Sequence, residues 1–234
     1  MNTREAEERE AREKYFAVKK DLKNLRDVNK RFWYPSLGHP NLLQLAVYFS
    51  HVEFASQLIS RGADVNVVTD VLGTPLHIAV RQRSLPMIEL LLISGANPHI
   101  FSLAYENILR RWTPIYDALE IDFLYSDESF IRTLLDNGTD VNEICFKSRW
   151  DPNGRTPLQI AVNQGEPSWV QLFLDYGANI NVVDSFGRTP LEAAVVANSP
   201  DIVLMIRNRI IALHQQGLEV SERNLQSVFA ITIN

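Results

Sequence analysis

Cys145, the five histidines and the 28 carboxylates are the side chains of this chain that could do covalent, metal or acid–base chemistry. A thiol nucleophile needs a base held beside it, and no pattern around Cys145 supplies one. His39, His51, His99 and His214 are scattered without the spacing of metal ligands. The carboxylates spread over the chain with no marked pair. The glycine-rich phosphate loop, the dinucleotide fingerprint, the zinc-protease helix and the nucleophile elbow are all missing from the sequence. The sequence therefore assigns no catalytic residue, no metal ligand and no cofactor. The chemistry it does favour is recognition. Segments near 100–111 and 143–152 mix Phe101, Tyr105, Trp112, Phe146 and Trp150 with Arg110, Arg111 and Arg149, residue types enriched where proteins anchor partners.

The elements that must carry these segments repeat. Gly73-Thr74-Pro75-Leu76-His77-Ile78-Ala79 has partners at Trp112–Ala118, Arg155–Ala161 and Arg188–Ala194, and each precedes an apolar helical run. Thr156 to Thr189 spans 33 residues, as do Gly62 to Gly95 and Asn41 to Thr74. Threonine caps a helix through its hydroxyl, and proline fits the first helical position because no N–H is needed there. Leu76, Ile78, Ala79 and Val80 then offer an apolar face. A second helix over Pro86–Ile93 buries Ile88, Leu91 and Leu92, and Gly95 ends it. Helices this short are marginal alone in water, so stacking must supply the burial.

The period and the T-P-L-H-x-A phrase resemble the ankyrin-repeat family over roughly Ser36 to Arg207. The resemblance implies an all-α solenoid of about five helix-pair repeats with short turn fingers and helical caps at both ends. The expected divisions are 1–35 for a charged N-terminal helix or cap, 36–207 for the repeats, and 208–234 for a C-terminal capping helix and tail. It also implies a structural His77 that ties neighbouring turns, and protein binding through the fingers and the inner face of the first helices. At positions of this chain that surface takes in Tyr48, Phe49, Asp70, Arg81, Arg110, Trp112, Glu120, Trp150, Asn153, Arg155, Gln164, Phe186 and Arg188, with Phe146 added from the second insert. Leu58 with Asp64-Val65-Asn66, and Leu134 with Asp140-Val141-Asn142, resemble substrates of asparaginyl hydroxylase.

The departures from period locate the inserts. Asn66 to Thr74 is eight residues, but His99 to Thr113 and Asn142 to Thr156 are each 14. Thr113 to Gly138 is 25 residues against 21 elsewhere, with 122–125 as the extra stretch. Thr3 to Lys30 reads as one long charged helix whose stripe Tyr15, Val18, Leu22 and Leu25 packs on the first repeat; a coiled-coil or partner-binding helix is the rival. Asp27-Val28-Asn29 echoes the repeat tail. Pro200–Gln215 and a short segment capped by Ser221 close the other end.

A net charge of −5 disfavours broad nucleic-acid binding. A local strip of Arg81, Arg83, Arg110, Arg111, Lys147, Arg149 and Arg155 keeps an anionic-ligand alternative open, and an enzyme with an unrecognised site is a third. One cysteine allows no internal disulfide, which fits a reducing compartment. No secretory leader and no membrane span is read. The expectation is a monomer of the cytoplasm, or of a host cytosol for a secreted effector, that binds one or more proteins as adaptor, inhibitor or effector.

Overall fold

The structure is a computed structural model and describes residues 3–20, 27–34, 37–103, 111–122, 128–148 and 151–232. The chain divides into two compact units, Met1–Gly138 and Thr139–Asn234.

In the first unit, α1 (Thr3–Lys20) precedes three helix pairs: α2 (Leu42–Tyr48) with α3 (Val52–Ser60), α4 (Pro75–Arg81) with α5 (Leu85–Ile93), and α6 (Pro114–Asp122) with α7 (Ser129–Asp136). First helices stack on first helices, α4 lying between α2 and α6, while α5 packs on both α3 and α7. A short hairpin, β1 (Ser102–Leu103) with β2 (Arg111–Trp112), precedes α6 and pairs Ser102 with Trp112.

The second unit opens with the hairpin β3 (Phe146–Ser148) and β4 (Asp151–Arg155). Two helix pairs follow, α8 (Pro157–Gln164) with α9 (Pro167–Asp175) and α10 (Pro190–Val196) with α11 (Pro200–Gln215). The final helix α12 (Glu222–Thr232) packs on α10 and α11. Among the described residues the fold is all-α apart from the two hairpins in the elongated fingers and the isolated bridges Arg31–Asn41 and Thr69–Gly73.

One device starts four of the first helices. Asn41, Thr74, Thr156 and Thr189 each accept from the backbone N–H three residues on, and Gln44, His77, Gln159 and Glu192 reach back to the cap N–H. Each box satisfies two donors that a helix start leaves open. A second device joins successive turns. Asn66 accepts from the Asn97 N–H at 2.7 Å and donates to the Gly95 carbonyl at 3.1 Å. In the second unit, Asn142 accepts from the Asn179 N–H at 2.7 Å, and Asn181 from the Ser221 N–H at 2.9 Å.

The N-terminal expectation needs correction. The helix does not run on to Lys30, because residues 27–30 form a turn. There Asp27 accepts from the Asn29 N–H at 2.9 Å, a local bond that competes with helix. Asn29 accepts from the Asp64 N–H at 2.8 Å and donates to the Gly62 carbonyl at 3.2 Å, as Asn66 does one turn later. Residues 27–29 thus bond as a repeat tail does, and α1 before them packs on α2. Leu22 and Leu25 lie outside the described residues. Tyr15 is fully buried, ringed by Phe16, Phe49 and Phe54, with its hydroxyl 2.7 Å from His51 Nδ1.

Candidate protein-binding surface

The first unit spends several of the expected contact residues on its own packing. The Tyr48 hydroxyl donates to Glu8 at 3.1 Å, and Phe49 lies 5.1 Å from the Tyr15 ring, so both serve the seat of α1. Arg81 donates through Nε to Asp117 Oδ2 at 3.0 Å and through Nη2 to the Leu72 carbonyl at 3.0 Å. It therefore fixes the finger before α4 to the first turn of α6. Burial raises the Asp117 carboxyl to about 6; the Arg81 charge and hydrogen bond and the Trp112 indole hold it back from rising further. Trp112 is half-buried, tilted against Tyr116 at 6.4 Å. Its carbonyl lies 3.1 Å from His77 Nε2. Asp70 and Glu120 are exposed. Arg110 lies outside the described residues, as do most of the 100–111 insert and residues 123–127.

In the second unit, Arg155 donates to Asp151 at 2.7 Å along its own strand β4, and its partner across the strands is Phe146, half-buried. Gly154 is required there. Its φ is +77°, and a Cβ would collide with Ile144 Cγ2 and the Phe146 carbonyl. Asn153 is exposed on β4, and Gln164 is half-buried at the end of α8. Trp150 and Arg149 lie outside the described residues. Cys145 is a free thiol in the loop just before β3, and it is fully buried, with its N–H 2.9 Å from the Arg155 carbonyl. Burial pushes its pKa well above the ordinary value, and Glu143 adds to the rise.

The finger at 182–188 has the clearest binding geometry. Asp184 accepts from the N–H groups of Phe186 and Arg188 at 2.9 and 2.8 Å, and its other oxygen takes the Arg188 guanidinium at 2.8 Å. Partial burial would raise the Asp184 carboxyl, but these donors outweigh it and hold the group below its usual range. Phe186 is left 77% exposed, with the Arg188 guanidinium 4.7 Å from its ring centre. An aromatic ring on a turn this constrained loses little freedom when it is covered.

The sequence reading missed a second such ring. Trp33 is 79% exposed and stacks on His39 at 4.2 Å. Reading Thr3–Lys30 as one helix hid it, because residues 27–29 form a turn tail and residues 30–34 follow it outside any helix. The exposed Val195, Val196 and Leu204 were also missed. Among the described residues no group of three or more His, Cys, Asp or Glu could hold a metal ion, and no helix is long and apolar enough to cross a membrane.

The sequence model for "Ankyrin repeats (3 copies)" matches residues 14–102 and 123–215. This chain belongs to the ankyrin-repeat family, whose repeats generally mediate protein–protein interaction. The stretch left unmatched holds the first elongated finger. The match from residue 14 takes in the second half of α1, in line with a degenerate first repeat. The chain is similar to the ankyrin repeat protein FPV223 of fowlpox virus (strain NVSL), 33% identical over 132 residues, which cover 56% of this chain and 81% of that protein. It is 31% identical over 169 residues to the B-cell lymphoma 3 protein homolog of Mus musculus, covering 70% of this chain and 35% of the relative. An L-asparaginase of Dirofilaria immitis is 26% identical over 221 residues, covering 80% of this chain and 36% of that protein. The chain thus spans little more than a third of the mouse and Dirofilaria proteins. The family is generally non-enzymatic.

Proposed function

We propose that this chain is a non-catalytic scaffold or adaptor that holds a partner protein on its turn fingers and the adjoining first-helix surface. It would act as a regulator, or as an effector in a host cell, inside an intracellular compartment. The observation that carries the reading is Phe186: a large ring exposed on a turn pinned by three hydrogen bonds to Asp184. Aromatic residues, phenylalanine among them, are enriched at the cores of protein interfaces. Of the expected contact set, Asp70, Glu120, Asn153 and Phe186 are exposed, and the half-buried Arg188 lies against the Phe186 ring. Trp33 joins them.

The anionic-ligand alternative is weakened because Arg81 and Arg155 already hold Asp117 and Asp151. The test is capture from lysate with wild type and with Phe186→Ala and Trp33→Ala, each checked for folding by circular dichroism. A protein retained by wild type and lost in a folded variant supports the finger interface. Equal retention by all three would move the interface elsewhere. Retention of nucleic acid, lost steeply with added salt, would favour the alternative.

A further inference from the structure

The last helix pair leaves uncovered a face that every comparable pair buries. Val195 stands six residues after its cap Thr189, as Val47 does after Asn41, Val80 after Thr74 and Val162 after Thr156. Those three counterparts are at most 2% exposed, whereas Val195 is 45% exposed. Val203 is half-buried, although its counterparts Ala55, Ile88 and Val170 are fully buried. Helix α12 packs on α10 and α11, yet Val195 and Val203 keep this exposure. A groove of about 430 Å³ remains, lined by Val195, Asn198, Pro200, Val203, Leu204 and Arg207.

Two features mark the groove as more than an unfinished end. Leu204 is 54% exposed at a position that is Ser56, Glu89 and Gln171 in the other pairs, all polar and exposed. Val196, at the end of α10, is 68% exposed. Apolar residues clustered at positions that elsewhere face water need a covering surface. The charges on α11 then state which one. Asp201 and Arg207 each lie three residues from Leu204, on opposite sides of it. Neither makes an ion pair among the described residues, and the Arg207 Nε is buried without a partner.

We propose that this face pairs with the same face of a second copy of the chain, the two α11 helices crossing antiparallel about Leu204. A two-fold axis at Leu204 sets Asp201 of each copy against Arg207 of the other, so one surface is complementary to itself. Val195, Val196 and Val203 then close over the apolar centre from both sides. The association replaces the monomer expected from the sequence. It is weak, because the contact is confined to one helix pair per chain.

Analytical ultracentrifugation from about 1 μM to about 1 mM chain brackets the affinities of such contacts. The expected result is a mass that rises with concentration from 26.7 kDa toward twice that value. Leu204→Asp and Val196→Asp hold the chain monomeric, with helix content unchanged by circular dichroism. Asp201→Arg and Arg207→Asp each put like charges together twice and weaken the dimer roughly tenfold. The double variant Asp201→Arg/Arg207→Asp restores it. A wild type that stays monomeric to the highest concentration overturns the proposal and leaves the groove to a helix of another protein. Single charge variants that dimerise like wild type, or a double variant that does not recover, overturn the antiparallel pairing.

Discussion

His77 Nε2 lies 3.1 Å from the carbonyl oxygen of Trp112, while its Nδ1 lies 3.2 Å from the Thr74 backbone N–H. The Thr74 N–H donates, so Nδ1 accepts and Nε2 carries the proton that Trp112 takes. One neutral imidazole closes its own helix cap and holds the elongated finger of the next pair. Burial and, after it, the Arg81 charge lower its pKa to about 3, with only the Trp112 carbonyl opposing them. The side chain best suited by type to catalysis is therefore committed to structure, fully buried and unable to charge near neutral pH.

The first prediction concerns what can replace it. His77→Ala leaves a buried N–H and a buried carbonyl unpaired and opens a small cavity, at a cost of about 2–4 kcal/mol. Glutamine already does this work one pair earlier, where Gln44 Nε2 donates to the Gly73 carbonyl at 2.8 Å while its Oε1 closes the Asn41 cap. His77→Gln should accordingly lose about 1 kcal/mol. Urea unfolding of both variants checks this, and equal losses would count against the bridging role.

A pH prediction follows from two neighbours with opposite slopes. The folded His77 titrates near 3 against an ordinary 6.5, so the folded chain binds fewer protons than the unfolded one. Its contribution is complete above pH 6.5 and is lost as pH falls. Asp117 titrates near 6 against 3.8, so here the folded chain binds more protons. Its contribution is complete below pH 3.8 and is lost as pH rises through about 6. Between pH 4 and 6 the two oppose each other. Asp117→Asn should unmask the histidine slope, with stability falling by up to about 1.4 kcal/mol per unit as pH drops. His77→Gln should unmask the reverse. Unfolding midpoints across that window decide it, and unchanged slopes in both variants would reject the assignment.

Much of the fold was legible because each repeat carries its own punctuation. Thr74, Thr156 and Thr189 mark helix starts through chemistry that is local and needs no neighbour. The tail asparagines mark turns in the same way. The site was less legible, because exposure is decided by what packs on top. Arg81, Arg155 and Arg188 read as free surface cations, yet each sits beside a carboxylate that only the fold brings near or holds in register. Trp112 read as an exposed anchor and is half-buried, its ring against Tyr116 of α6. Trp33 was hidden by the reading of Thr3–Lys30 as one charged helix, whereas Asp27 and Asn29 bond locally as a turn. Val195 has the same residue type as Val80, and only the missing cover distinguishes them.

Cys145 gives a prediction about reactivity. Its thiol is fully buried, and its pKa is pushed up by burial and by Glu143, so thiolate is scarce at neutral pH. In native buffer it should resist a disulfide reagent for at least about 100 times longer than in urea, since reaction waits on opening of the hairpin. Gly154→Ala, which forces a Cβ into Ile144 and the Phe146 carbonyl, should speed the native reaction. Labelling as fast in native buffer as in urea would show that the hairpin does not shield the thiol.

The last prediction tests whether the turn asparagines couple neighbours or only decorate them. Asn66 joins the turn after α3 to the turn after α5 through two bonds, to the Asn97 N–H and from its own amide to the Gly95 carbonyl. Asn66→Ala removes both and should cost about 1–2 kcal/mol, within the range for paired hydrogen bonds of this exposure. Asn66→Asp keeps the acceptor and loses the donor, so it should fall between alanine and wild type at neutral pH. In a stacked array a lost link weakens one interface rather than every repeat. Amide exchange should therefore quicken in the α4–α5 pair before it quickens in α8–α11. Uniform quickening across both units would mean that Asn66 acts on the whole chain, and the nearest-neighbour account would fail.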